Sequence, residues 1–291
     1  MLESFGAVLV SALVLGSLYA LIGSGLSLTW STLGVFNFAH GAFMTIGAYL
    51  AWTVSVSWGV NIWLALVISL IVTFALSLVF AAGFVRPFLA RHQGQLIVMV
   101  TTLAAATLIT NTTQLIWGPQ IKQLPTLFEG TIHLGPVVVG ANQFAVILAA
   151  PILIGGLLAV LRFTGIGLAI RAAEQNRDFA RLVGIRPTMV YAITIGIAAV
   201  LAAVAGILLG GIGFLTPSLG NDPLLKAFVV VIFGGLAKVS GTVVGAYTIG
   251  LLEAVSTYFV GLSWTPIIIF TAMIAIMLFR PEGLISRKAT L

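Results

Sequence analysis

The sequence predicts an all-α membrane protein, a polytopic bundle of about eight or nine transmembrane helices, and three observations carry that prediction. Apolar residues fill 60% of the 291 positions and the mean hydropathy is +1.19, more than a soluble core of this size needs. Several apolar runs reach the ~20 residues that take a helix across a bilayer. Threading those runs alternately gathers most of the basic residues on one side. Arg86, Arg91, Arg162, Arg171, Arg177, Arg181, Arg186, Lys238, Arg280, Arg287 and Lys288 collect there, and only Lys122 and Lys226 fall opposite. Basic residues are retained on the cytoplasmic face, so the N-terminus is expected outside and the C-terminus in the cytoplasm.

Composition also excludes other classes. A net charge of +6 would point to nucleic acid in a soluble chain. Here its placement follows topology, and no nucleic-acid partner is expected. The chain has no cysteine, which removes disulfides, thiolate metal sites and a cysteine nucleophile. His40, His92 and His133 are too scattered to make a ligand set, so neither a metal nor another cofactor is expected. The 32 glycines suit helices that pack closely in lipid.

Taken in order, residues 5–29 form a first span, and no removable signal peptide is expected. Residues 25–50 then carry Asn37 and His40 inside an apolar stretch. On a continuous helix, positions 37, 40, 41, 44 and 48 share one face, beside small or flexible neighbours. Polar groups at membrane depth are costly unless paired or facing a wet cavity, so this pair lines a solute path or bonds helices together. Residues 61–83 return to a turn at Arg86, Pro87 and Arg91. Residues 95–116 cross again, with Thr101, Thr107 and Asn111 in similar or adjacent directions. A threonine hydroxyl readily bonds its own helix, which leaves Asn111 the stronger candidate for contact with solute or a neighbouring helix.

Segment 117–141 is polar and rich in turn residues, the main expected external loop. Residues 142–161 lead back to segment 164–188, around which the rest is arranged. Arg171, Glu174, Arg177, Asp178 and Arg181 crowd together there in a chain only 7% charged. Positions 171, 174, 178 and 181 share a helical face, while Ile170, Phe179, Leu182 and Val183 take other directions. The expectation is one short amphipathic helix held between two spans, either a docking element or a solvated loop.

Residues 189–213 cross outward to the turn residues 216–223. Residues 226–241 are too short for a span and are interrupted at Gly234 and Gly235, which predicts a broken or re-entrant helix. Residues 242–261 follow, with Gly245 and Gly250 on a packing face. Glu253 lies near membrane depth, where it lines a path or joins helices. Residues 264–279 return to a short basic tail, 280–291. No internal repeat is visible.

Four blocks together resemble the permeases of branched-chain amino-acid ABC importers, of the LivH type. Asn37 to Gly41, NFAHG, is similar to that family's hallmark, and the spacing from Thr101 through Asn111 to Trp117 and Gly118 also fits. Arg171 to Ile185, RAAEQNRDFARLVGI, resembles the loop by which such permeases dock on their ATPase. Residues 226–254 resemble the family's glycine ladder and include Glu253. Two departures stand out: Ala42, where many relatives have Glu, and the wording GGLAKVSG.

The resemblance implies a single permease domain over 1–291 in the bacterial cytoplasmic (inner) membrane, importing leucine, isoleucine and valine. It implies two cytoplasmic ATPase subunits, a second permease of the LivM type and a periplasmic or extracytoplasmic solute-binding protein, besides the lipid bilayer itself. No GxxxxGK[ST] occurs, so ATP hydrolysis is expected in separate chains and the protein is not itself an enzyme. Arg171, Glu174, Arg177, Asp178, Arg181 and Gly184 become the expected coupling residues. Asn37, His40, Thr101, Asn111 and Glu253 become candidates for the translocation path. Urea or short amides are the alternative solutes. A stand-alone carrier or channel would need a relay of ionisable groups, which His40 and Glu253 do not form, and a membrane enzyme would need clustered ligands or bases.

Overall fold

The computed structural model describes residues 2–89, 91, 93–135, 137–236, 238–280 and 283. Arg287, Lys288 and most of the basic tail lie outside the described residues, as do His92 and Pro136.

The first helix, α1 (Leu2–Leu33), is central. Its 32 residues span about 48 Å at 1.5 Å per residue, longer than a bilayer core. It packs on α11 (Val239–Val260), α9 (Pro187–Ile212), α10 (Asn221–Gly234) and α6 (Ala141–Phe163). The chain then breaks, and α2 (His40–Trp52) begins only after an irregular stretch, running on through a π-helical turn, Thr53–Ser57. Next, α3 (Ile62–Phe80) starts on Asn61, whose Oδ1 accepts the Trp63 amide at 2.9 Å. It passes through a second π-helical turn, Ala81–Val85, into α4 (Arg86–Leu89), and α5 (Gly94–Trp117) crosses back. An antiparallel hairpin of β1 (Thr131–Leu134) and β2 (Val137–Gly140) lies between α5 and α6. Two short helices, α7 (Gly165–Gln175) and α8 (Arg177–Leu182), precede α9, and α12 (Thr265–Phe279) closes the described bundle.

The fold is all-α and polytopic, as expected, but its helices are unequal. Among the described residues, 6 helices are long and apolar enough to cross: α1, α3 with α4, α5, α6, α9 and α11. The rest of the expected count falls to α2, α10 and α12, of 13, 14 and 15 residues. Each is short of the ~20 needed for a full crossing. The interruption foreseen at Gly234 and Gly235 is present. There α10 ends, Gly235 takes φ +105°, and α11 starts at Val239.

A repeat that the sequence did not show is visible in the topology. Long α1, short α2 and long α3 are matched by long α9, short α10 and long α11. Helix α1 packs on α10 and α11 as α9 packs on α2 and α3. The two long leaders run in opposite directions, since Arg177 bonds the Leu33 carbonyl at the end of α1 and lies over the Tyr191 ring near the start of α9. The short helices meet at their N-termini, where a Cβ on either Gly41 or Gly220 would strike the other's backbone. The Gly220 amide donates to Thr45 Oγ1 at 3.0 Å across this meeting point. Such an arrangement constrains size and polarity, not residue identity, so no sequence repeat need accompany it.

Candidate coupling segment and solute path

The charged segment lies where one end of the bundle collects its arginines. Instead of the single amphipathic helix expected, it forms two. The Thr164 hydroxyl accepts the Gly167 amide at 3.1 Å and starts α7. Asn176, with extended backbone (φ −159°), breaks the helix and caps α8, its Oδ1 accepting the amides of Asp178 and Phe179 at 3.0 and 3.1 Å. A side chain that caps so well competes with helix continuation, which is why the run divides there. The shared face of 171, 174, 178 and 181 is therefore split between two axes.

The split separates two kinds of contact. On α7 and at the junction, charges turn back to the bundle: Arg171 donates to the Leu161 carbonyl, and Glu174 accepts from Ser31 at the end of α1. Arg177 donates to the Leu33 carbonyl. On α8 the side chains turn away. Asp178 and Arg181 pair at 3.5 Å with both largely exposed, a contact worth at most about 1 kcal/mol. Phe179, Leu182 and Val183 are 68%, 81% and 76% exposed. These apolar residues were assigned no role from sequence, yet they make the most conspicuous surface here. Gly184 ends α8 at φ +85°, its amide bonding the Arg181 carbonyl while the Ile185 amide bonds that of Ala180. That is a Schellman stop, which a residue with a side chain adopts only under strain.

Four of the five polar positions proposed within the bundle are bonded internally. Asn37 is not on a helix with His40. It sits in the break before α2, its Oδ1 accepting the Ala39 amide at 3.0 Å. The His40 ring, 1% exposed, donates from Nε2 to the Ile22 carbonyl of α1 at 3.0 Å. Thr101 donates to the Phe84 carbonyl in the π-helical turn at 3.0 Å, tying α5 to α3. Glu253 accepts from Tyr19 at 2.7 Å and from Lys226 at 2.6 Å. It also borders a cavity of about 600 Å³ between α1, α11 and the start of α6. Asn111 differs: it is exposed and lines a cavity of about 410 Å³ between α5 and α10. Thr107, Thr110 and Asn221 add polar groups to that cavity, and Phe38, Leu225 and Phe228 make its apolar wall.

Lys226 was sorted to the outside by sequence. It lies instead on α10 with its side chain 15% exposed, bridging Glu253 and Asp222, the latter at 2.9 Å. The available signal was a lysine opening an apolar run in a chain with one carboxylate at membrane depth. Opposite charges in such surroundings seek each other.

The long apolar helices, the paired half-length helices and a charged segment tied to the end of α1 define the class as a polytopic membrane permease. The chain belongs to the family described as the permease component of the branched-chain amino acid transport system, whose model matches residues 8–278. It is 29% identical to the high-affinity branched-chain amino acid transport system permease protein BraD of Pseudomonas aeruginosa, over 96% of this chain and 95% of that one. It is 26% identical to the corresponding permease protein LivH of Escherichia coli, over 95% and 94%. A probable LivH of Methanocaldococcus jannaschii is 28% identical over 95% and 91%.

Proposed function

We propose that this chain is the permease subunit of a binding-protein-dependent ABC importer that carries leucine, isoleucine and valine, with ATP hydrolysed by separate subunits. Residues 1–291 act as one permease domain in the bacterial cytoplasmic membrane. The arginine-rich end faces the cytoplasm, placing the N-terminus and loop 117–141 outside and the C-terminus within. Two ATPase subunits, a LivM-type second permease and an external solute-binding protein complete the machine.

The observation that carries this reading is the division of labour in segment 164–188. Exposed Phe179, Leu182 and Val183 on α8 suit an apolar groove on an ATPase. Glu174 and Arg177 join the same segment to the end of α1 through Ser31 and Leu33. A movement of the ATPase is thereby delivered to the helix at the centre of the bundle. Nucleotide binding drives the change only by favouring one of the two conformations.

For the solute, the cavity between α5 and α10 fits an amino acid best. Asn111, Thr110 and Asn221 offer polar partners, and the start of α10 adds the partial positive charge of a helix N-terminus for a carboxylate. Phe38, Leu225 and Phe228 receive a branched aliphatic side chain. Asn37, His40, Thr101 and Glu253, each held by partners within the chain, shape this path and hold the helices that border it.

The test is uptake into proteoliposomes containing the permease with its ATPase and binding-protein partners. ATP-dependent entry of labelled leucine is expected. ATP-dependent entry of urea alone would move the solute class, and leucine entry without ATP would remove the coupling role of α8.

A further inference from the structure

Where α3 and α9 part at the arginine-rich end, they leave a cavity of about 320 Å³. Its rim carries Arg86, at the start of α4, and Arg186, which precedes α9. No Asp or Glu lines it, and neither arginine belongs to the ion pairs among the described residues, which join Arg181 to Asp178 and Lys226 to Asp222 and Glu253. Two arginines thus border one cavity, neither paired with a carboxylate among the described residues. Deeper in, the walls are apolar save for Tyr191. Leu78 and Ile195 lie eight and nine residues from the two arginines along their helices, about 12–14 Å toward the bundle centre. Ala82, in the π-helical turn, and Met189 are exposed along the opening.

We propose that this slot binds one anionic phospholipid from the inner leaflet. Its phosphate lies between Arg86 and Arg186, and an acyl chain follows Ala82, Leu78 and Met189 into the hydrocarbon. Charge complementarity selects an anionic headgroup, since the choline of a zwitterionic lipid would meet the same two guanidinium groups. The apolar depth selects lipid over a soluble phosphate, which would leave those walls unused. The N-terminus of α9, at Pro187 and Thr188, adds a further favourable dipole for the phosphate.

Native mass spectrometry of the detergent-purified permease, titrated with phosphatidylglycerol or phosphatidylcholine, tests this. The wild-type chain is expected to retain phosphatidylglycerol selectively. R86Q/R186Q should weaken that retention about 25-fold, from roughly fivefold per basic residue. R86K/R186K should keep most of it, and A82W, which fills the slot with both arginines in place, should lose it. Equal retention of the two lipids would overturn the proposal, as would displacement of phosphatidylglycerol by glycerol 3-phosphate, which marks a soluble-phosphate site. So would an R86Q/R186Q chain that holds phosphatidylglycerol undiminished but no longer binds its ATPase, which makes the arginines a protein-docking surface.

Discussion

Lys226 Nζ lies 2.6 Å from Glu253 Oε1, a largely buried ion pair that fastens half-length α10 to α11. The other carboxylate oxygen accepts the Tyr19 hydroxyl of α1 at 2.7 Å, so three helices meet at one side chain. Asp222, one turn before Lys226 and mostly exposed, shares the same ammonium. The cluster adds a polar anchor to a short helix that is otherwise held by apolar packing on α1 and α11.

K226M strands the buried Glu253 carboxylate and is expected to cost about 3–5 kcal/mol, whereas E253Q should cost less because Asp222 still pairs with Lys226. Thermal unfolding in detergent reads the loss. The double variant K226M/E253M should recover most of it, because no charge is left unpaired. If the two single losses simply add in the double variant, the pair does not hold α10 in place.

The coupling segment yields two separable outcomes. F179D places a charge on the exposed apolar face of α8 and should abolish co-purification of the ATPase while the permease remains folded. E174R breaks the contact with Ser31 at the end of α1 and sets a cation beside Arg177. It should keep the chain inserted and stable, retain the ATPase, and lose ATP-dependent uptake. Normal uptake by E174R would show that force does not travel through this contact.

The class was legible because hydropathy and the placement of arginines act over whole helices, which tolerate error at single positions. The broken helix at Gly234 and Gly235 was legible because two adjacent glycines weaken a helix in any context. The division at Asn176 was not. It depends on one side chain bonding two amides just beyond it, a local competition that helical periodicity does not register. The placement of Asn37 failed similarly, since the chain leaves the helix before reaching it. Lys226 was misplaced because sorting charges by side assumes that they lie outside the membrane.

Within the cavity between α5 and α10, Asn111 and Thr107 should behave differently. Thr107 donates to the Leu103 carbonyl of its own helix at 3.2 Å, so its hydroxyl is already engaged. T107V is expected to change leucine uptake less than about twofold. N111L removes a side-chain amide that faces the cavity, and loss of one solute hydrogen bond of about 1 kcal/mol predicts roughly a fivefold fall in uptake at low leucine concentration. Concentration-dependent uptake in proteoliposomes distinguishes them. Equal effects of the two substitutions would place the path elsewhere.

The meeting of α2 and α10 sets the last expectation. A methyl group on Gly41 would strike the Gly220 carbonyl and the Leu224 side chain, and one on Gly220 would strike the Gly41 carbonyl. Backbone cannot move aside here as a flexible side chain would, because Thr45 already holds the Gly220 amide. G41A and G220A should therefore each destabilise by about 1–3 kcal/mol, the usual cost of overpacking. A methyl group added at Gly211, in the last turn of α9, would meet nothing within 4 Å, so G211A should be neutral or slightly stabilising through better helix propensity. Thermal unfolding of the three variants side by side makes the comparison. If G220A unfolds with G211A rather than with G41A, the half-length helices do not depend on this contact.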